Sequence, residues 1–255
     1  MKKSINLQTR NKSNIMTTFN KIINIETVDS TNNYVKERIL DLENGTVLFS
    51  SEQTNGRGRF ERSWFGEKHK SVFSSFLIKD ISEPEDALRF SFLFSLGIKN
   101  LLKQYIPEEN IVLKWPNDIL IGNKKICGVL SEFAKNCIIV GIGINVLDFA
   151  PDGKIESPWT TIEKETKLKL DVETFKFELI DHINNAFVKY NADDPKQITK
   201  VWAEQAEILG KFVTVTHGHK KISGTVLSID DLGMLKLLHK DNIINISTGD
   251  LEYND

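Results

Sequence analysis

Ser51-Glu52-Gln53-Thr54-Asn55-Gly56-Arg57-Gly58-Arg59-Phe60-Glu61-Arg62-Ser63-Trp64 joins an apolar run with strand character, Val47 to Ser51, to a loop of glycines and arginines. Gly56 and Gly58 allow positive φ and a close backbone approach to a ligand, while Arg57, Arg59 and Arg62 each present a planar fork of donors suited to carboxylate or phosphate. Between Gly56 and Lys70 five cations (Arg57, Arg59, Arg62, Lys68, Lys70) face two glutamates (Glu61, Glu67), in a chain of formal net charge −2. The positive charge is therefore local. An anion-binding loop fits this pattern, and a solvated basic loop is the plain alternative. Trp64 suits a cover for a ligand or nucleobase, or equally the first core residue of the next element.

Composition bounds the rest. With 255 residues and 40% hydrophobic content the chain can build a substantial core, as one domain or as a large domain with a small one. Its 33 Lys+Arg against 35 Asp+Glu, with pI near 6.3, lack the broad basic footprint of a dedicated nucleic-acid binder. Cys127 and Cys137 have neither C-x-x-C spacing nor clustered histidines, which disfavours a disulfide framework or zinc site and fits a reducing cytoplasm. No apolar run has the ~20 residues of a membrane span, and the polar start lacks a signal-peptide core. Residues 1–20 read as a flexible leader, too short for a helix-turn-helix domain, and no DNA or membrane partner is expected.

Along the chain, Ile22 to Val28 reads as a strand. Asp29-Ser30-Thr31-Asn32 supplies capping side chains for a helix from Asn33 to Leu40, and the same groups could present polar atoms to a ligand. Ser71 to Ile78 is a strand. Ser82-Glu83-Pro84-Glu85 has the form of a capping box, followed by Phe90, Leu93, Phe94, Gly97, Leu101 and Tyr105 at helical spacing, which predicts core rather than cofactor contacts. Ile111 to Lys114 runs into the turn Trp115-Pro116-Asn117-Asp118, and Ile119 to Ile121 and Lys125 to Glu132 form a hairpin about Gly122-Asn123. A further strand, Ile138 to Ile142, ends in Gly141-Ile142-Gly143-Ile144-Asn145. Those glycines lack the third glycine and the acidic residue of a dinucleotide fingerprint, and no G-x-x-x-x-G-K-[ST] loop is present.

Pro151 to Pro158 is loop-like. Asp171 caps a helix bearing Phe175, Leu179, Ile183, Ala186, Phe187 and Tyr190, and a second helix, Pro195 to Leu209, follows the turn at Asn191 to Asp194. From Gly210 the pattern alternates with period two, which predicts a small barrel of short strands. His217 and His219 could share a face as metal ligands, but no third ligand lies nearby.

Taken together, Gly56-Arg57-Gly58-Arg59 with Arg62 and Trp64, Lys114-Trp115-Pro116-Asn117-Asp118, Lys125 to Gly128 and Gly141 to Asn145 resemble the biotin–protein ligases. The likeness runs from Ile22 to the C-terminal barrel, similar to that family's small SH3-like domain, and does not include the DNA-binding domain of its bifunctional repressor members. It implies a monofunctional ligase: an α/β (α+β) catalytic domain with a central mixed sheet over residues 21–209, and an SH3-like β-barrel over 210–255. Such an enzyme joins biotin and ATP into biotinyl-5′-AMP and passes biotin to one lysine of a biotin carboxyl carrier domain, as a cytoplasmic monomer or homodimer.

By position in the family pattern, Ser30, Thr31, Asn32 and Gln53 hydrogen-bond the ureido ring of biotin. Arg57, Gly58 and Arg59 form a loop closing over biotin and the adenylate, and Trp64 packs near the adenine. Lys125 reaches the biotin carboxylate and the phosphate, Gly128 and Gly143 line the pocket, and Arg62, Lys114, Asn117 and Asn145 complete the adenylate site. The resemblance thus makes Lys125, Asp118 and Arg57 the catalytic set, with Asp118 as ligand of a Mg²⁺ ion. A carboxylate attacking a phosphate brings like charges together, a repulsion of about 4 kcal/mol at ~4 Å and an effective dielectric near 20, which Arg57, Arg59, Arg62 and the metal would offset. The acceptor lysine is neutral in only roughly one molecule in a few thousand at pH 7, and the resemblance offers Asp118 there as base or orienter. Two positions depart from the pattern: Thr54-Asn55, and Cys127, which reads as a small buried residue rather than a nucleophile. A lipoate–protein ligase and a non-catalytic biotin or nucleotide sensor are the rival readings.

Overall fold

A computed structural model of the chain describes residues 17–151, 157–190 and 194–254. Of the expected segments, residues 1–16 of the leader, most of the 151–158 loop and residues 191–193 of the predicted turn lie outside these.

Seven strands form the larger sheet: β1 (Lys21–Val28), β2 (Thr46–Gln53), β3 (Ser71–Lys79), β4 (Ile111–Lys114), β5 (Asp118–Ile121), β6 (Lys124–Ala134) and β7 (Cys137–Asn145). Their order is β1-β2-β3-β7-β6-β5-β4, with β1 parallel to β2 and every other pair antiparallel, so the sheet is mixed as expected. Alternation along each strand sends side chains to opposite faces. One face carries Leu48, Leu77, Cys137 and Ile139, and receives Val35 of the short helix α1 (Thr31–Glu37) and Ile39 of the turn that follows it.

The opposite face meets α2 (Asp86–Leu102), α4 (Val172–Lys189) and α5 (Pro195–Gln205); a short α3 (Ile162–Thr166) stands beside β7. The helical spacing predicted for Phe90, Leu93, Phe94 and Leu101 places all four fully inside, and Phe92 stacks on Trp202 at 4.2 Å. At about 1.5–3 kcal/mol per buried large side chain, this layer is the main hydrophobic support of the fold. Phe19, which the sequence assigned to the leader, is 1% exposed and packs edge-on against Phe76, Phe94 and Phe187. One aromatic in a polar segment has no periodicity to reveal that it docks.

Two local expectations fail. The capping box is absent: α2 begins at Asp86 with no side-chain cap, and the carbonyls of Glu83 and Pro84 accept from the Asp86 and Ala87 amides instead. Helix α1 starts at Thr31 and makes no side-chain cap through Ser30; the Thr31 amide and hydroxyl both donate to Gln53 Oε1 instead. Asp171 does cap α4, accepting from the Thr174 amide at 2.9 Å.

Five short strands, β8 (Phe212–His217), β9 (Lys220–Ile229), β10 (Leu235–His239), β11 (Asn242–Ile246) and β12 (Asp250–Tyr253), make the C-terminal antiparallel sheet, ordered β11-β10-β9-β8-β12. It corresponds to the expected SH3-like unit, although β11 and β12 do not pair to close a barrel. Trp115 donates from Nε1 to the Gly233 carbonyl at 3.0 Å and so joins the β4–β5 turn to this sheet. Among the described residues no helix is long and apolar enough to cross a membrane.

Candidate functional site

The pairing of strands assembles the site. Phe73, Gly143, Gly128, Asp118 and Lys114 stand in one row across β3, β7, β6, β5 and β4. This row lies on the α1 face of the sheet, beyond the helix. Lys125 would point to the other face by simple alternation from Gly128. A bulge in the β5–β6 ladder, where Ile119 faces Cys127 but Leu120 faces Lys125, re-aims it. Its Nζ lies 2.6 Å from Asp118 Oδ1 and 5.3 Å from the Trp64 ring centroid. The Asp118 contact falls outside hydrogen-bond geometry, so Oδ1 is a buried charged oxygen without a hydrogen bond.

Over this row sits a cleft of about 700 Å³. Ser30, Thr31, Asn32, Gln53, Arg57, Gly58, Arg59, Arg62, Trp64, Lys114, Asn117, Asp118, Lys125, Gly128, Gly143 and Asn145 all line it. The sequence-predicted residues thus share one cavity, large enough for a drug-sized ligand. The Gly143 position is specified by contact: a Cβ there would meet Trp64 at 2.2 Å, and one at Gly128 would meet it at 2.9 Å. The indole lies across both strands, with Nε1 buried and unpartnered. Gly143→Ala should therefore displace Trp64 while leaving the strand intact, since its φ is one that alanine adopts. We expect ligand affinity to fall roughly tenfold with a melting temperature within a few degrees of the parent, measured by calorimetry and thermal melts.

The first turn of α1 is held by polar contacts. Gln53 Oε1 accepts from the Thr31 amide at 2.8 Å and its hydroxyl at 3.1 Å, while Gln53 Nε2 makes no hydrogen bond among the described residues. Asn32 is 3% exposed and fully committed: Nδ2 donates to Leu130 O and to Glu132 Oε2 at 2.8 Å, and Oδ1 accepts from Ser75 Oγ at 2.6 Å. At the other end, Asn145 Nδ2 donates to Thr160 O at 3.2 Å and its Oδ1 is buried without a partner. Asn117 Nδ2 donates to Val129 O at 2.7 Å, bracing the turn that the cis Trp115–Pro116 bond opens.

The glycine–arginine loop is clasped from two sides. Arg57 donates from one terminal nitrogen to both Glu132 oxygens, at 3.0 and 2.8 Å, with Nε left unpartnered. Arg59 donates to Asn117 Oδ1 at 3.4 Å, the Gly249 carbonyl at 3.2 Å and the Thr248 hydroxyl; Arg62 forks onto Asp250. Phe60, at φ 53, meets His217 edge-on at 5.5 Å, which gives that histidine a packing role. Burial lowers the Arg59 guanidinium from its ordinary value, opposed by Asp250 and Asp118; it stays charged at neutral pH.

Burial alone would raise the Asp250 carboxyl, but the Arg62 fork, with Arg59 and Lys114 behind it, outweighs burial and holds it below the usual range. A depressed carboxylate contributes above its unfolded value and loses that contribution as pH falls through the folded one. The clasp should hold unchanged from pH 8 to 5 and open only well below about pH 4, which tryptic cleavage after Arg57, Arg59 and Arg62 cannot follow in acid but amide hydrogen exchange across 56–64 can.

Glu132, Thr248, Gly249 and Asp250 were not legible as site residues. Glu132 follows Gly128 and Leu130 at even spacing on β6, a signal that strand alternation could have used. Asp250 is 188 positions from Arg62, and nothing local marks it. Among the described residues no group of three His, Cys, Asp or Glu could hold a metal, so His217 and His219 gain no third ligand. Cys127 is fully buried and burial pushes its thiol up, in keeping with an inert core position.

A model of the biotin/lipoate A/B protein ligase family matches residues 24–146, which span β1 to just past β7 and hold every motif of the cleft. A solved structure of a biotin protein ligase from Aquifex aeolicus in complex with biotin and ATP superposes with TM-score 0.77 at 29% identity, covering 92% of this chain and 99% of that one. Over residues 24–146 the chain is similar to the biotin/lipoate A/B protein ligase family. Two named ligases are similar to it along most of the chain. The bifunctional ligase/repressor BirA of Escherichia coli (strain K12) is 27% identical over 223 residues, 85% of this chain and 68% of BirA. The biotin–[acetyl-CoA-carboxylase] ligase of Paracoccus denitrificans is 27% identical over 82% of this chain and 90% of its own length.

Proposed function

We propose that this chain is an ATP-dependent biotin–protein ligase, which forms biotinyl-5′-AMP and transfers biotin to a lysine of a biotin carboxyl carrier domain, as in acetyl-CoA carboxylase. The observation that carries this reading is the single row of Lys114, Asp118, Gly128 and Gly143 beneath Trp64 and the arginine loop, in a fold shared with a ligase solved with biotin and ATP.

In this reading biotin lies in the cleft beside the Gly128–Gly143 floor, where only glycine leaves room for the Trp64 indole that walls the site. Its ureido ring meets Ser30, Thr31 and Gln53, and Gln53 Nε2 is the amide donor left over from the Thr31 contacts; Asn32 shapes the pocket through its buried bonds. Its carboxylate meets Lys125, a fixed cation that brings the nucleophile to the α-phosphate and stabilises charge there. Arg59, Arg62 and Lys114, with Asn117 and Asn145, face the adenylate. Asp118 is the carboxylate suited to a Mg²⁺ ion, since one or two carboxylates with phosphate oxygens and waters make up such sites and it lines the cleft beside Lys125. Bound there, the ion would supply charge neutralisation to the phosphates. Closure of the 56–64 loop keeps water from the mixed anhydride until the acceptor lysine arrives. Two unpaired, buried cysteines fit a reducing cytoplasm.

The test is exchange of labelled pyrophosphate into ATP, followed by mass spectrometry of a carrier domain. Biotin should drive exchange and one biotinyl group should appear. Exchange driven by lipoate or octanoate and not by biotin overturns the substrate; binding without either reaction leaves a sensor.

A further inference from the structure

We infer that Glu132 is a positioning residue that couples the biotin end of the cleft to the arginine loop. Its carboxylate, with its side chain 18% exposed, is shared by three groups from separate segments: Arg57 at the start of the loop, Asn32 in the first turn of α1 and Lys36 Nζ at 3.6 Å in the last. Asn32 is in turn fixed by Ser75 on β3, and the next residue, Thr31, is fixed by Gln53 at the end of β2. A shift of the α1 first turn therefore reaches Arg57 through one carboxylate.

The loop has two anchors of different character. Arg59 and Arg62 hold it to residues 248–250 of the C-terminal sheet, whereas Glu132 belongs to β6, the strand that also carries Lys125 and Gly128. The Glu132 anchor stands on the same strand as two residues of the cleft floor, and it also holds Asn32, which lines the cleft. It also neutralises Arg57, so the guanidinium serves as a tether, with its buried Nε unpartnered, rather than as a free anion trap. Glu132 thus touches neither proposed substrate; it sets where Arg57 and Asn32 stand when biotin binds.

This inference rests on the biotin–ligase reading, and the experiment separates the two. Glu132→Gln keeps the size and one acceptor but removes the charge that ties Arg57. Expected are a KM for biotin raised roughly tenfold, the scale of one charge-assisted hydrogen bond, with kcat within about threefold. Protection of Arg57, Arg59 and Arg62 against trypsin by biotin plus MgATP should be lost, while the ligand-free melting temperature stays within a few degrees. Glu132→Asp should restore part of the KM. A merely structural carboxylate would lower the melting temperature and leave ligand protection in the folded fraction intact, and that result, or wild-type KM and protection in Glu132→Gln, overturns the inference. Should Glu132→Gln fail to fold, Arg57→Gln reports on the same tether, and a wild-type KM there is equally fatal. If the parent chain itself shows no biotin-dependent exchange or protection, the functional reading fails first and the coupling role falls with it.

Discussion

Arg59→Gly should release biotinyl-5′-AMP roughly 30-fold faster than the parent chain and label exposed lysines of a bystander protein. Arg59 ties the loop to Asn117 on one strand end and to Thr248 and Gly249 beside β12. A charge-assisted hydrogen bond is worth about 1.5–3 kcal/mol, and some of that is screened at a cleft mouth, so losing this set should cost the closed loop about 2 kcal/mol. That free energy converts to roughly 30-fold in the closed population. Glycine adds freedom to a segment that already carries Gly56 and Gly58, which works in the same direction. Rapid-filtration release of labelled adenylate, with mass spectrometry of bystander lysines, reads both effects. Release unchanged from the parent would mean that the loop does not retain the intermediate. Arg57 ends on Glu132 instead, so its removal should act first on biotin affinity.

Lys125→Met should lower the adenylation rate by about 10²–10³-fold, the range for loss of one preorganised donor at a developing charge. Methionine keeps the length and apolar stem, so the bulge and the contact with Trp64 can persist. It also leaves the Asp118 carboxylate, now without its 2.6 Å cation, in a partly buried place. Single-turnover formation of the adenylate measures the step directly. The transfer half-reaction, started from preformed biotinyl-5′-AMP, should fall much less, which separates a role in the first step from general damage. Equal losses in both halves would move Lys125 to the structural frame.

Much of this molecule was readable without coordinates. The strands over Ile22 to Val28, Ser71 to Ile78 and Ile111 to Lys114 were legible because apolar runs end at turn residues, and α4 because its apolar spacing and the Asp171 cap agree. Caps that depend on which way a hydroxyl rotates were not, as Ser30 and Ser82 show. The run Gly141 to Asn145 read as the end of a strand, yet it continues β7 to Asn145, because the glycines are required by what lies above them. At Gly141 a Cβ would meet Asn32 Oδ1 at 2.5 Å, and at Gly143 it would meet Trp64. A glycine that breaks a pattern locally can be a floor once the sheet is assembled.

The chemical inventory of the site, from Gln53 and the arginine loop to Lys125 and Asn145, was determined by the sequence itself, since those residue types in short motifs follow from local backbone and donor requirements. The tertiary structure alone decided their partners. Lys125 faces Asp118 only because the bulge shifts register by one residue, and Gly143 meets Gly128 only because β6 and β7 pair in this register. Arg57 is tied to Glu132 and Arg62 to Asp250, contacts across 75 and 188 residues that no periodicity encodes. Local propensity acts over a few residues, whereas register and long-range charge pairing are settled by burying one face of the whole sheet, and only that burial makes the loop a closure over the cleft.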